Sequence, residues 1–258
     1  MTARTGRPPA WSYWVVLPLF VVFWGVFAWF LRSPLLPTPL QVLETLMVES
    51  ASGQLWYHLG ATLARVAVAF TLAMFVGTVI GIVMGRSRTT NALFDPMLVL
   101  LLNLPALVTI ILMYVWFGLI ELAAVMAVVI NKVPNVAVTV REGARSLDYR
   151  LEQMATVYDF TRWQRLREVW VPQLFPYLMA ATRGGLSLIW KIVLVVELLG
   201  RSSGVGFQLH LAFQVFDVAA ILAYSLAFIL VVQLIELAIL QPLERRSNRW
   251  RQPEMAHA

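Results

Sequence analysis

The sequence predicts an all-α membrane protein with about six transmembrane helices. Of its 258 residues, 60% are hydrophobic and 13% are charged, whereas soluble domains carry roughly 25% charged residues. The hydrophobic residues also form runs of about 20 residues, the length of helix that crosses a bilayer. In lipid such runs must be helical, because every backbone polar group needs an internal partner. A soluble single-domain protein is therefore strongly disfavoured.

Six segments are predicted to span the membrane as one transmembrane domain covering residues 1–258. The first begins at Trp11, after Arg4 and Arg7, and superficially resembles a signal peptide. It is nevertheless long enough for a full crossing, and no small-residue cleavage pattern follows, so we expect a retained helix. The predicted spans are 11–31, 61–84, 92–117, 122–140, 177–199 and 218–240.

The distribution of arginines predicts the orientation of these spans. If the amino terminus is inside, the segment 141–176 and most other arginines are cytoplasmic, and only Arg32 and Arg201 face out, as the positive-inside rule requires. Both termini are therefore expected in the cytoplasm. This topology also explains the net charge of +6, so we expect no nucleic-acid partner. The other inside arginines are Arg86, Arg88, Arg245, Arg246, Arg249 and Arg251.

Residues 33–60, between the first two spans, are predicted to lie on the outer surface. They begin with several prolines and continue as a short amphipathic pattern from Leu40 to Met47. A spacer that lies on the bilayer is the favoured interpretation, and a contact surface for an external binding protein is the alternative.

Prolines interrupt the third and fourth spans at Pro96, Pro105 and Pro134. Such breaks free backbone groups that neighbours or water must satisfy, and they often line a pathway. A simple packing kink is an equally good explanation. Asn103 and Asn131 lie close to two of these breaks and are candidate pathway residues.

The fifth span contains two ionisable residues, Lys191 and Glu197. A charge there costs roughly 2.5 to 3.5 kcal/mol on insertion scales, so each is expected to face protein or water. Six residues apart they lie on different helix faces and should not pair. Each belongs either to an ion pair with another span or to the translocation pathway, where Lys191 would favour an anion. Ionisable residues nearer the span ends are expected to snorkel and to be structural: Arg65, Asp95, Arg183 and Glu236.

Residues 141–176, called here the charged segment, cannot be buried in lipid. Apolar residues from Leu147 to Tyr158 recur at spacings of three and four, which is typical of an amphipathic helix. A second helical pattern starts near Trp163 and ends at Pro172. Because a solvated linker would not need this patterning, we expect a helix, a turn at 159–161 and a second helix that dock a cytoplasmic protein.

The charged segment resembles the cytoplasmic loop of permease subunits of binding-protein-dependent ATP-binding-cassette importers. Their signature has the form Glu-Ala-Ala-x-x-x-Gly, followed in many members by Ala-Ser-x-Trp and later by Leu-Pro. When the chain is aligned to this signature on residues 162–164 and 171–172, Asp159 falls at the position of the glycine. Glu152 falls one position before that of the glutamate. Aspartate tolerates a left-handed turn better than most residues. The positions of Glu-Ala-Ala in the signature are occupied by Gln153, Met154 and Ala155.

Other stretches carry the same resemblance, which covers nearly the whole chain. The Leu-Pro-Thr-Pro at 36–39, the stretch 58–70, and 179–207 with its Glu197 look like the nitrate, sulfonate and taurine branch of the family. The combination is specific, although each piece alone is a weak signal.

The resemblance implies a type I importer permease in the bacterial cytoplasmic membrane that carries a small anionic solute. It implies two ATP-binding subunits, a second permease copy or a different permease, and a periplasmic or lipid-anchored binding protein. ATP and Mg would be bound by the ATPase, so no cofactor, metal or enzymatic activity is expected in this chain. The implied ATPase-coupling residues are Glu152, Gln153, Met154, Ala155, Tyr158, Asp159, Phe160, Thr161, Arg162 and Trp163.

Two other functions are compatible with the sequence. One is a secondary transporter that uses Lys191, Glu197 or Asp95 as ion-linked groups, and the other is a membrane scaffold that transports nothing. The glycine-rich stretch 200–206 lacks the lysine and hydroxyl pair of a phosphate-binding loop and is predicted to be an external turn. No nucleophile and base arrangement and no metal-ligand spacing is visible.

Overall fold

The computed structural model describes residues 11–33 and 35–242, so the terminal arginines of the orientation argument lie outside the described residues. The described chain is helical apart from short turns. Its helices are α1 Trp11–Leu31, α2 Pro39–Ala51, α3 Gln54–Arg86, α4 Arg88–Asn103, α5 Ala106–Phe117, α6 Glu121–Arg145, α7 Tyr149–Val157, α8 Arg162–Gln164, α9 Val171–Gly200, α10 Val205–Gln214 and α11 Val218–Ile235, with π-helical segments at Arg165–Trp170 and Glu236–Leu240.

Four helical stretches of the described chain are long and apolar enough to cross a membrane: α3, α6, the continuous helix Arg162–Gly200, and α11 extended to Ala238. Helices α4 and α5 pass the same test only together, and they would add a fifth crossing. The sequence-based count of about six spans also includes α1, whose apolar stretch Pro18–Leu31 is shorter.

The segment 92–117 is not the single straight span that its hydropathy predicts. It is divided between α4 and α5, which are bent by 97° relative to each other. Leu104 and Pro105 at the break have extended backbones, because the proline ring disfavours a helical conformation at the preceding residue. The predicted interruption at Pro105 is therefore confirmed, whereas Pro96 lies within α4.

Helix α2 forms as the amphipathic pattern predicts, and its first turn is closed by a capping box. The Gln41 amide N–H donates to Thr38 Oγ1 at 3.3 Å, and the Thr38 N–H donates to Gln41 Oε1 at 2.8 Å. The helix packs against α11, where the Tyr224 hydroxyl donates to Glu49 Oε2 at 2.7 Å. It is thus fixed to the helix bundle.

Helices α3 and α6 run parallel and approach closely through a glycine stripe. Gly77, Gly81 and Gly85 recur every fourth residue of α3 and face α6 residues 136–144. A Cβ on Gly77 would lie 2.6 Å from Val136 Cβ, and one on Gly85 would lie 2.5 Å from that of Ala144. Small residues at this spacing let membrane helices pack backbone to backbone. The four-residue spacing of these glycines is visible in the sequence, but the close packing of α3 on α6 was not predicted from it.

Helix α9 crosses α6 in the opposite direction and completes the core. At one end of this pair, Gly143 of α6 lies against Tyr177 of α9. At the other end, Gly200 of α9 lies against Tyr114 of α5. We call these ends the α7 end and the α10 end, after the short helices that they carry. Helix α3 begins at Gln54, seven residues before the predicted span, so residues 54–60 belong to it and not to a separate outer segment.

Candidate functional site

The turn after α7 at the α7 end has a defined hydrogen-bond pattern. Asp159 has a φ of +51°, which is the left-handed conformation expected at a position where the resembled signature carries glycine. The Asp159 N–H donates to Thr156 O at 3.2 Å and the Phe160 N–H donates to Ala155 O at 2.9 Å. This pair of bonds is a Schellman motif, which satisfies the last carbonyl groups of the helix.

The second helix of the charged segment begins immediately after that turn. The Gln164 N–H donates to Thr161 Oγ1 at 3.3 Å, and the Thr161 N–H donates to Gln164 Oε1 at 2.8 Å. This is a second capping box, whose Thr-x-x-Gln spacing was available in the sequence.

The prediction that this helix ends at Pro172 is wrong, because the chain continues as a helix from Arg162 to Gly200. Proline lacks the N–H that an α-helix needs at that position. Here Pro172 follows the π-helical segment 165–170 and lies in the first turn of α9. The Val171 N–H donates five residues back, to Leu166 O. We attribute the unbroken path of the chain to this wider turn.

Large apolar side chains on α7 and on the turn point away from the protein. Tyr158 and Trp163 are 71% and 68% exposed, and Met154 and Val157 are also exposed. Of the predicted apolar stripe, Ala155 is fully buried. The remaining predicted coupling residues on this side are also solvent-exposed: Gln153, Asp159, Thr161 and Arg162. An exposed apolar patch of this kind is typical of a protein interaction site.

Glu152 points inward and attaches α7 to two other elements. Its carboxylate accepts hydrogen bonds from Arg86 Nη2 at 2.6 and 2.7 Å and from Trp170 Nε1 at 3.0 Å. The Arg86 guanidinium also lies 5.0 Å from the centre of the Trp170 ring. Burial opposes ionisation of this carboxyl, but the hydrogen bonds from Arg86 and Trp170 and the nearby charges outweigh it and lower the pKa of Glu152. Glu152 therefore positions α7 against α3 and the base of α9.

The α10 end contains a buried ion-pair network centred on Arg65 and Glu197. Glu197 is fully buried, and Arg65 is 7% exposed. Arg65 Nη1 donates to Glu197 Oε1 at 2.6 Å, and Arg65 Nε donates to Glu121. Arg201 Nη2 lies 2.6 Å from Glu121 Oε2. Glu197 thus forms an ion pair with another helix, whereas the expectation that Arg65 snorkels is wrong because it points into the protein.

The same network holds the turn between α9 and α10. The Gly206 N–H donates to Glu197 Oε2 at 2.9 Å, and Arg65 donates to Ser203 O at 2.7 Å. The Val205 N–H donates to Thr62 Oγ1 at 2.8 Å. A Cβ on Gly204 would collide with the Glu197 carboxylate. The glycines of this turn therefore allow its backbone to approach a buried charge.

The structure does not bring the four predicted pathway residues together. Glu197 belongs to the network just described, and Asn103 is exposed at the end of α4, where it bonds to Val99 O. Asn131 is partly buried and bonds to Ala127 O on its own helix. Lys191 is exposed on α9.

A buried cation that the pathway prediction omitted lies next to Asn131. Lys132 is only 3% exposed. The sequence shows it beside Pro134 in a membrane span, which is the signal that could have identified it. Within the described ranges, no group of three or more His, Asp or Glu side chains could hold a metal ion.

The comparison with known proteins decides the family. Residues 77–241 match the family of binding-protein-dependent transport system inner membrane components. The chain belongs to this family. It is a permease subunit of a membrane transport system and not an enzyme, and permeases of this family in general act with an ATPase and a solute-binding protein.

Related permeases cover most of this chain. The putative aliphatic sulfonates transport permease of Bacillus subtilis (strain 168) is 30% identical over 93% of this chain and 88% of its own length. The taurine transport system permease of Escherichia coli (strain K12) is 31% identical over 90% of this chain and 86% of its own length. A bicarbonate transport system permease of Synechococcus elongatus is 26% identical over 83% and 85%.

Solved structures show that the permease has a type I importer fold. An amino acid ABC transporter crystallised with histidines matches with a TM-score of 0.60 at 21% identity, covering 78% of this chain and 97% of that one. The inward-facing methionine transporter MetNI matches with a TM-score of 0.58 at 17% identity, covering 70% and 92%. At such identities the likeness concerns the fold alone.

Proposed function

We propose that this permease is the membrane-spanning subunit of an ATP-driven importer for small anionic solutes of the sulfonate or carboxylate class. The complex would contain a second permease, either identical or different, two ATPase subunits and an external solute-binding protein. The names of the related sulfonate, taurine and bicarbonate permeases support the solute class. The ATPase would supply the site for ATP and Mg.

The observation that carries this proposal is the construction of the α7 end. Its exposed apolar patch, with Met154, Val157, Tyr158 and Trp163, offers a docking surface for an ATPase. Because Glu152 joins α7 to Arg86 and Trp170, a push on α7 acts on α3 and α9 together. Closure of the ATPases would thereby move two membrane helices.

The orientation follows from charge. The described arginines at the α7 end include Arg86, Arg88, Arg141 and Arg145, and the positive-inside rule places such an end in the cytoplasm. Both termini are then cytoplasmic, and the α10 end faces outward toward the binding protein. In this arrangement the complex lies in the bacterial cytoplasmic membrane.

Lys191 remains our proposed pathway cation from the sequence. It is exposed on a membrane-spanning helix, where contact with lipid would be unfavourable. A water-filled pathway or a second permease would cover this face. Asn103 and Asn131 are kept as weaker pathway candidates, whereas the buried pairing of Glu197 supports a structural role for that residue.

The docking surface can be tested by truncating Tyr158 and Trp163. The double variant Tyr158→Ala, Trp163→Ala should lose co-purification of the ATPase and ATP-dependent uptake, while its membrane level stays normal. The matched control is Phe213→Ala, which removes an exposed aromatic side chain at the α10 end and should keep the ATPase bound. Retention of the ATPase by the double variant would refute the proposed docking surface.

A further inference from the structure

Lys132 lies midway along α6, and its side chain is 97% buried by the rest of the protein. Its amine forms no hydrogen bond or ion pair with a described residue. Arg65, the other membrane cation buried to this degree among the described residues, instead bonds to two carboxylates. Of these two buried cations, Arg65 has carboxylate partners and Lys132 has none among the described residues.

An ionisable group inside a membrane span is expensive to keep and marks a functional site by default. The structural cost of Lys132 is not offset by a bond to a described group. A methionine would fill the same volume without a polar atom. The amine is therefore a candidate binding group for an anion.

The Lys132 amine lies against α9 at Gly185. A Cβ on Gly185 would lie 2.7 Å from Lys132 Cε and 3.1 Å from its Nζ, so only glycine leaves room for the side chain. Gly184 precedes it, and two consecutive glycines disfavour a helix and favour bending. Lys132 thus reaches α9 where that helix is most easily deformed.

A cavity lies beside α9 at Gly184, the residue next to Gly185. It has a volume of about 530 Å³, and its lining includes Gly184, Ser187 and Trp190 together with the charged residues Arg183 and Glu236. A Cβ on Gly184 would meet no atom within 4 Å, because this face of the helix is open. Two glycines therefore separate the buried amine from an open cavity beside a membrane helix.

We propose that Lys132 is an anion-binding residue of the translocation pathway, reached when α9 bends at Gly184 and Gly185. This inference rests on the proposed import of anions. A lysine amine in contact with water carries a positive charge at neutral pH. It then binds the sulfonate or carboxylate group of the passing solute. In the resting state Gly184 and Gly185 lie between the amine and the cavity.

The test uses a cysteine at Gly184, which reports on the environment of the cavity. The chain has no cysteine of its own, and the open side of Gly184 accommodates the new side chain. Gly184→Cys is placed in the reconstituted complex, with its ATPase and binding protein, during ATP turnover. Its reaction rates with a sulfonatoethyl and a trimethylammonioethyl methanethiosulfonate reagent are compared in the Lys132, Lys132→Met and Lys132→Arg backgrounds.

The anionic reagent should be favoured in the Lys132 background, and this preference should fall about ten-fold in Lys132→Met. Lys132→Arg should restore it, because arginine retains the charge that a merely space-filling role does not need. Ser202→Cys at the α10 end is the control, and its rate ratio should be the same in all three backgrounds. An unchanged ratio at position 184 in Lys132→Met, or no reaction at that position during turnover, would overturn the proposal.

The labelling readout does not depend on knowing the solute. If the wild-type complex fails to import taurine, chosen as the transport probe, and the Gly184→Cys complex yet shows the charge-dependent ratio, then the proposed function is at fault and the anion site stands. If the complex imports taurine and the ratio does not depend on Lys132, the proposed function stands and the site does not.

Discussion

At the scale of single residues, the turn between α7 and α8 depends on Asp159. Its φ of +51° lies in the left-handed region, which costs roughly 1 to 2 kcal/mol for most residues and almost nothing for glycine. We expect Asp159→Gly to keep the ATPase coupled and to stabilise the turn. Asp159→Val should loosen the turn and reduce solute-stimulated ATP hydrolysis, since a β-branched side chain fits this conformation worst.

Hydrogen exchange of residues 155–160 and ATPase assays of the reconstituted complex provide the measurements. Both variants should insert into the membrane at wild-type levels, which serves as the control for folding. Equal exchange and equal activity in the glycine and valine variants would contradict the assigned role of this conformation.

The pairing of Glu197 with Arg65 supports a second prediction at this scale. Glu197→Gln keeps the shape of the side chain but removes the charge from a fully buried site. Arg65 would keep only the half-exposed Glu121 as a carboxylate partner, and because losing one side of a buried ion pair is costly, we expect a loss of up to about 3 kcal/mol in stability. Thermal unfolding in detergent should show this loss.

The exposed Glu44→Gln on α2 is the comparison for the Glu197 variant and should unfold as the wild type does. Residues 201–206 should also exchange faster in Glu197→Gln, because the Gly206 N–H loses its charged acceptor. Wild-type stability of Glu197→Gln would show that the network contributes little.

At the scale of elements, the attachment of α7 should depend on pH through Glu152. Its pKa is lowered from the ordinary 4.5 by the hydrogen bonds and charges that outweigh its burial. A lowered folded-state pKa means that the stabilisation is present at neutral pH and is lost as the pH falls through that lowered value. Protonation breaks the bond to Arg86, so α7 should detach in acid.

Hydrogen exchange of α7 measures this effect when wild type and Glu152→Gln are compared at the same pH. At pH 7 the variant should exchange faster than the wild type. Well below the lowered pKa the two should exchange alike, because the wild-type carboxyl is then neutral as well. A difference that persists unchanged in acid would exclude Glu152 as the attachment.

Helix positions were largely predictable from the sequence, and helix ends were less so. Hydropathy located α3, α6, α9 and α11, because long apolar runs have no other stable structure in lipid. The end predicted at Pro172 was wrong because a local rule about proline was overridden by π-helical bonding just before it. The 97° bend between α4 and α5 lies at the predicted proline, but its size depends on how the two helices pack.

At the scale of the whole molecule, the orientation in the membrane is open to direct test. The absence of native cysteine allows single cysteines to be read without background. Ser202→Cys at the α10 end should react with a membrane-impermeant maleimide in spheroplasts. Thr89→Cys at the α7 end should react only after the membrane is permeabilised. The reverse pattern would show that the α7 end faces outward.

The candidate sites also differ in how much of each could be predicted from the sequence. The docking surface was predicted from the order of residues, because a helix, a turn and a second helix are local structures set by neighbours in the chain. The Arg65 and Glu197 pair was not, because those residues lie 132 positions apart. Lys132 was not selected either, although it lies beside Pro134, because the burial that separates it from the exposed Lys191 depends on helix packing.

The sequence by itself determined the membrane class, the helical spans, the family resemblance and the turn at Asp159, since hydropathy and local backbone preferences act over short stretches. The tertiary structure alone decided that Glu152 faces inward, that Arg65 meets Glu197, and that Lys132 is buried against Gly185. The physical reason is that the direction and partner of a charged side chain depend on how helices pack. That packing brings together residues which are distant in the chain.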